Sequence, residues 1–190
     1  HCVTRRQRQM CIRDRDRTSR LATALRSEFN IERGDRVAVL AENDSNTLEV
    51  QFACWKLGAI FVPLNWRLTI PELEYIVGDA EPKVLFYDDP LSEQSIKISE
   101  ICNIPHCVTW GRSIEGAAAY EEVLSLHEPL DRCVECTHDD PFTVMYTSGT
   151  TGRPKGVIIT QGMTFWNAVN CVEFYSLSES CLLYTSPSPR

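Results

Sequence analysis

Residues 36–64 read RVAVLAENDSNTLEVQFACWKLGAIFVPL, and three unlike patterns follow one another inside them. The apolar run 36–40 is short enough to be a buried strand. Asn43, Asp44 and Ser45 then supply side chains that cap helix N-termini, and the spacing that follows predicts a helix burying Leu48, Phe52, Ala53 and Trp55. Gly58, directly after Leu57, marks the C-terminal cap. A second strand over 60–64 closes the unit, and Pro63 places there either the strand's end or a sheet edge, because proline has no N–H for a ladder. Strand–helix–strand at this spacing calls for a parallel crossover.

The same alternation extends outward. Residues 71–78 open with Pro71 and carry acids in the first turn, so a third helix is predicted, followed by a strand over 83–87. Upstream, Leu21, Ala24, Leu25 and Phe29 recur at helical spacing within 17–29. Downstream the pattern gives a helix near 93–101, a strand near 106–110 and a short helix near 120–126. Strands over 142–146 and 157–160 flank a small-residue loop, and a final helix over 161–175 turns Met163, Trp166, Val169 and Val172 inward. The fold class is therefore α/β: a layered, partly parallel sheet with helices packed on it.

The chain has 190 residues with 43% hydrophobic and 24% charged content, enough for one substantial core and typical of a globular protein. No apolar run approaches the roughly 18 residues of a membrane span. The ends differ from the middle. Residues 1–15 hold five arginines and no apolar periodicity, and 179–190 close on an alternating Ser-Pro run. The strings RQRQMCIRDR and CLLYTSPSPR resemble translated sequencing-adapter sequence, so 1–15 and 179–190 are expected to be non-native tails around a partial domain at 16–178. Net charge is −7 over the whole chain and −11 over 16–178. Such a surface repels nucleic acid and anionic membrane, so an anionic ligand would need a local site. Of nine cysteines, Cys54, Cys102, Cys107, Cys133, Cys136 and Cys171 lie outside the tails. With no secretory signal they fit free thiols in a reducing, cytoplasmic compartment.

Chemistry concentrates in residues 146–156, YTSGTTGRPKG. Gly149, Gly152 and Gly156 let a backbone take positive φ and approach a ligand closely. Successive N–H groups in such a turn form a concave anion site. Thr147, Ser148, Thr150 and Thr151 add hydroxyl donors, and Lys155 adds one mobile positive charge suited to phosphate. The alternative is a plain Ser/Thr/Gly surface loop between strands. A Walker A loop does not fit, since Pro154 precedes Lys155 and Gly156 follows it; a Gly-x-Gly-x-x-Gly fingerprint is absent as well.

The segment YTSGTTGRPKGV resembles the signature loop of the adenylate-forming superfamily, which includes acyl-CoA synthetases, luciferases and peptide-synthetase adenylation domains. SRLATALRSEFNIERGDRVAVLAEN and KLGAIFVPLNWRLTIPELEYIVGDAEPKVLFY resemble the same family's N-terminal region in the same order. The likeness covers roughly 17–89 and 138–176 and implies the opening, incomplete portion of an adenylation domain. It also implies an ATP- and Mg²⁺-dependent ligase that activates a small-molecule carboxylic acid, fatty or otherwise, as acyl-adenylate and passes it to coenzyme A. Thr147, Ser148, Gly149, Thr150, Thr151, Gly152 and Lys155 would then contact nucleotide phosphates. The adenine- and Mg-binding segment, ribose-binding Asp, hinge and catalytic Lys would follow the loop, so no catalytic residue is expected within this chain and the chain alone should be inactive. One departure is Gln161, where relatives often have His.

Other constellations carry weaker expectations. Cys133-x-x-Cys136 with His138 invites a zinc site, against two thiols in a linker; the linker is preferred and no metal ligand is assigned. Trp66 is expected to pack across the sheet edge with Arg67 solvated. Glu121-Glu122 and Asp139-Asp140 are expected to be solvated surface. Met163 and Trp166 fit core packing better than an acyl pocket. The competing function classes are a peptide-synthetase adenylation domain, a nucleotide-binding module without catalysis, and a zinc-dependent interaction protein. Unpaired sheet edges are expected to limit solubility.

Overall fold

The structure is a computed structural model and describes residues 5–42, 44–148 and 153–174. Helix α1 spans Arg5–Ser27, beginning well before the periodic stretch, with residues 12–15 exposed. It is followed by β1 (Arg36–Leu40), α2 (Ser45–Leu57), β2 (Ile60–Leu64), α3 (Ile70–Ala80) and β3 (Val84–Tyr87). A short 3₁₀ turn at Asp89–Leu91 leads into α4 (Ser92–Cys102), β4 (His106–Thr109), β5 (Ala118–Ala119) and α5 (Tyr120–Ser125). The chain ends on β6 (Pro141–Ser148), β7 (Pro154–Thr160) and α6 (Gln161–Phe174).

The strands form one seven-stranded sheet in the order β5-β4-β3-β1-β2-β6-β7. All neighbouring pairs are parallel except β6 and β7, which form an antiparallel hairpin. Side chains alternate across the sheet with period two. Val37, Val39, Val84 and Phe86 face one core beneath α1, α2 and α5; Ala38, Leu40, Leu85 and Tyr87 face the other beneath α3 and α4. Both faces being covered explains why these strands read as unbroken apolar runs rather than alternating ones.

Local signals fix the helix ends. The Asp44 carboxylate accepts from the Asn46 N–H at 3.1 Å, and Gly58 terminates α2 in the left-handed region at φ 67°. A Cβ there would meet Arg33 Cγ at 3.1 Å. In α3, Glu72 accepts from both the backbone N–H and the hydroxyl of Thr69, at 2.8 and 2.6 Å. The helices of the first face are tied together by Arg17, which donates to Glu49 and Glu121, while the buried Tyr120 hydroxyl donates to Glu49 at 2.7 Å.

Two sequence expectations are corrected. The buried side of α2 is Val50, Ala53, Cys54 and Leu57, whereas Leu48, Phe52 and Trp55 are about half exposed. Both stripes of this helix are apolar, and the one with smaller residues lets α2 lie close against Ala22 and Ala24 of α1. On α6, Met163, Trp166 and Val172 are more than half exposed and Val169 is over a third exposed, so they do not form an inner side. That helix follows the last strand and is held at its first turn by the linker: Gln161 N–H donates to Asp140 and Gly162 N–H to His138, both at 2.9 Å. Of the two readings of Pro63, the strand's end is the one found. β2 lies between β1 and β6, and Pro63 is its penultimate residue, past the Phe61–Thr143 register point with β6. Trp66 packs against the second core with the Arg67 guanidinium 4.9 Å over its ring. Glu121 is exposed yet paired to Arg17, and Asp140 is paired to Arg33.

Two outcomes test this packing. Phe86→Ala removes a fully buried ring that meets Tyr120 edge-on at 6.1 Å, and should lower unfolding free energy by about 3–5 kcal/mol. Leu126→Ala, at a side chain 77% exposed, should change it by less than about 0.5 kcal/mol in the same urea titration. Hydrogen bonds from the Asn46 N–H and the Ser45 hydroxyl hold the Asp44 pKa below its ordinary value. The cap's contribution is therefore present above the unfolded-state pKa and is lost as pH falls through the lower folded one. Asp44→Ala should cost about 1 kcal/mol at pH 7, and the gap to the parent chain should close only below pH of about 3.9.

Candidate functional site

Because β6 is parallel to β2, it delivers its C-terminal residues to the edge of the sheet where β1, β2, β3 and β4 also finish. Ligands of open α/β sheets are held outside that edge. The β6–β7 hairpin turns there, in register from Thr143–Ile159 up to Ser148–Pro154, with one irregularity before it at Pro141–Thr143. Thr147 and Lys155 are directly opposed in that ladder and both are exposed, so their side chains stand on one face at the mouth of the turn. Ser148 ends β6 at the last register position. Gly149, Thr150, Thr151 and Gly152 lie outside the described residues.

The stems of the turn are held from the side. The Tyr146 hydroxyl donates to Asp79 Oδ2 on α3 at 2.6 Å, and burial together with this contact raises the tyrosine pKa, keeping it a donor. Past the turn, the Arg153 guanidinium carbon lies 5.8 Å from the ring centre of Tyr75, also on α3. Gly156 opposes Tyr146 in the ladder, and a Cβ there would meet Val144 Cγ1 at 3.0 Å and Tyr146 Cζ at 3.2 Å. This glycine has no positive φ. Its smallness makes room for the Tyr146 ring, whereas the sequence suggested close approach of a ligand. Asp79, Tyr75 and Arg153 were not legible as site-related residues, because the contacts join positions far apart in the chain. A cleft lined by Leu64, Asn65, Leu68, Met145 and Tyr146 opens beside the same stem.

The cysteine constellation lies at the opposite end of β6. Cys133, Cys136 and His138 line an open cleft with Trp55, Gln161 and Phe165. His138 stacks on Phe165 at 5.6 Å between ring centres, and the Cys136 thiol pKa is raised, chiefly by burial. Among the described residues no three His, Cys, Asp or Glu side chains are grouped to hold a metal ion, Mg²⁺ included. Cys54, Cys102, Cys107, Cys133, Cys136 and Cys171 are free thiols, and burial raises the pKa of Cys54 strongly. Among the described residues, no helix is long and apolar enough to cross a membrane.

Residues 12–188 match the family of AMP-binding enzymes. Indoleacetate–CoA ligase of Aromatoleum aromaticum is 34% identical over 168 residues, covering 88% of this chain and 33% of the relative. Feruloyl-CoA synthase of an Amycolatopsis species is 38% identical over 172 residues, covering 90% and 32%. ATP-bound MatB from Rhodopseudomonas palustris superposes with a TM-score of 0.73 at 28% identity, over 86% of this chain and 32% of that one. The chain thus spans about a third of the length of these relatives. With a hydroxyl- and glycine-rich turn at the ligand edge of a mixed α/β sheet and a family match over nearly its whole length, the chain belongs to the AMP-binding enzymes.

Proposed function

We propose that this chain is the N-terminal part of an ATP-dependent acid–thiol ligase, and that residues 147–155 are its phosphate loop. A substrate carboxylate oxygen attacks the α-phosphorus of ATP, the bond to the β-phosphate oxygen breaks, and pyrophosphate leaves. The sulfur of coenzyme A then attacks the acyl carbon and releases AMP. The substrate is a fatty or other acyl acid. The likeness to indoleacetate–CoA ligase and feruloyl-CoA synthase favours coenzyme A as acceptor over the carrier of a peptide synthetase.

The observation that carries this is the opposition of Thr147 and Lys155 at the mouth of the turn. In an otherwise acidic chain of net charge −7, a lysine opposed by the exposed Thr147 gives local complementarity to the β- and γ-phosphates. Their work is electrostatic: they hold the leaving pyrophosphate in line and offset its charge as the α–β bond lengthens. Ser148, Gly149, Thr150, Thr151 and Gly152 complete the cradle. Among the described residues no carboxylates are grouped to hold Mg²⁺; the neutralisation assigned to this chain is that of Lys155.

In the complete enzyme carrying this segment, Lys155→Ala should lower kcat/KM for ATP in pyrophosphate exchange by about 10²-fold. An unchanged value would remove the basis of the assignment. The 190-residue chain alone should give no exchange of labelled pyrophosphate into ATP, because by family likeness the groups that bind adenine and ribose follow the loop. Measurable exchange would show that the segment is catalytically sufficient.

A further inference from the structure

We infer that α3 is a positioning clamp for the phosphate loop, gripping one stem through Asp79–Tyr146 and the other through Tyr75–Arg153. This rests on residues 147–155 being that loop.

Tyr146 immediately precedes Thr147, and Arg153 is the first described residue after the turn, so the two contacts bracket the segment that would meet the nucleotide. Both partners belong to α3 and lie one helical turn apart, at positions 75 and 79, on the same side of the helix. The helix itself is anchored. Leu73, Ile76, Val77 and Ala80 are buried in the second core, Glu72 and Thr69 cap its start, and Arg36 Nε donates to the Ala80 carbonyl at 2.6 Å. A grip on α3 is therefore a grip on the sheet.

Two details separate this arrangement from incidental surface contact. Asp79 sits in the last turn of α3, where the helix dipole disfavours a negative charge, so helix stability does not account for an acid there; its partner does. Gly156 lacks the Cβ that would crowd the Tyr146 ring at 3.2 Å, which leaves room for that ring to lie across β7 toward α3. Neither Tyr146 nor Asp79 needs to touch a phosphate. By fixing both stems they set where the intervening segment is presented to the nucleotide.

The test uses the complete enzyme and follows pyrophosphate exchange with ATP and carboxylate varied separately. Tyr146→Phe keeps the ring but removes the donor; Asp79→Ala removes the acceptor. Each should raise KM for ATP about three- to tenfold, leaving KM for the carboxylate and the melting temperature as in the parent. The double variant should be no worse than either single one, since both break one interaction. Asp79→Asn, which retains an acceptor oxygen, should recover most of the loss. On the other stem, Tyr75→Leu should raise KM for ATP and Tyr75→Phe should not, because only the former removes the ring beneath Arg153. Additive effects, equal shifts in both KM values, or parent-like ATP kinetics in all variants would overturn the clamp. If Lys155→Ala also left ATP use unchanged, the phosphate-loop assignment would be at fault; if Lys155→Ala impaired it while the α3 variants did not, only the clamp would fall.

Discussion

A parallel strand pair cannot be closed by a tight turn, and its two faces must both be shielded from water. That constraint organises the molecule. β1 has β2 on one side and β3 on the other, so the chain must cross over twice, and the crossovers supply α2 on one face and α3 on the other. Once the helices are divided this way, β1, β2, β3, β4 and β6 all end at one edge of the sheet. Function is then placed by topology: whatever connects those ends lies on one rim.

The hairpin of β6 and β7 departs from this pattern and gains from it. An antiparallel pair allows a short turn, so the glycine- and hydroxyl-rich segment sits between two paired stems instead of leading into a helix as a Walker-type loop does. A turn without a helix has no N-terminal dipole to orient it. Its orientation must come from the strands and from whatever holds them, and here α3 touches both stems. The energetics of the core and of the ligand edge meet in that one helix, whose inner side is buried and whose outer side faces the hairpin.

Much of this was legible along the sequence, for reasons that can be named. Arg36–Leu40 and Val84–Tyr87 read as strands because burial on both faces makes them continuously apolar. Asp44, Gly58 and Thr69 marked helix ends because capping chemistry is local. What failed was the choice between equivalent stripes. Residues 48, 52 and 55 of α2 are at helical spacing, and so are 50, 53, 54 and 57; only the presence of α1 across the interface decides between them. The outward side chains of α6 belong to the same class of error, since periodicity reveals an apolar face but not its partner. At the loop, composition suggests a phosphate site, which stands as a proposal, whereas Asp79 lies 67 positions from Tyr146 and no spacing rule connects them.

The close fit of the Tyr146 ring over Gly156 also bears on how such a protein can change. Two neighbouring strands share one volume there, so the size of the residue at one position limits the size at the other. A methyl group at 156 would press on Val144 and on the Tyr146 ring, which would have to give by a few tenths of an ångström, and a shrunken 146 would forfeit its tie to the neighbouring helix. Single replacements at either position are thereby penalised, and the two sites should tend to travel through descent together.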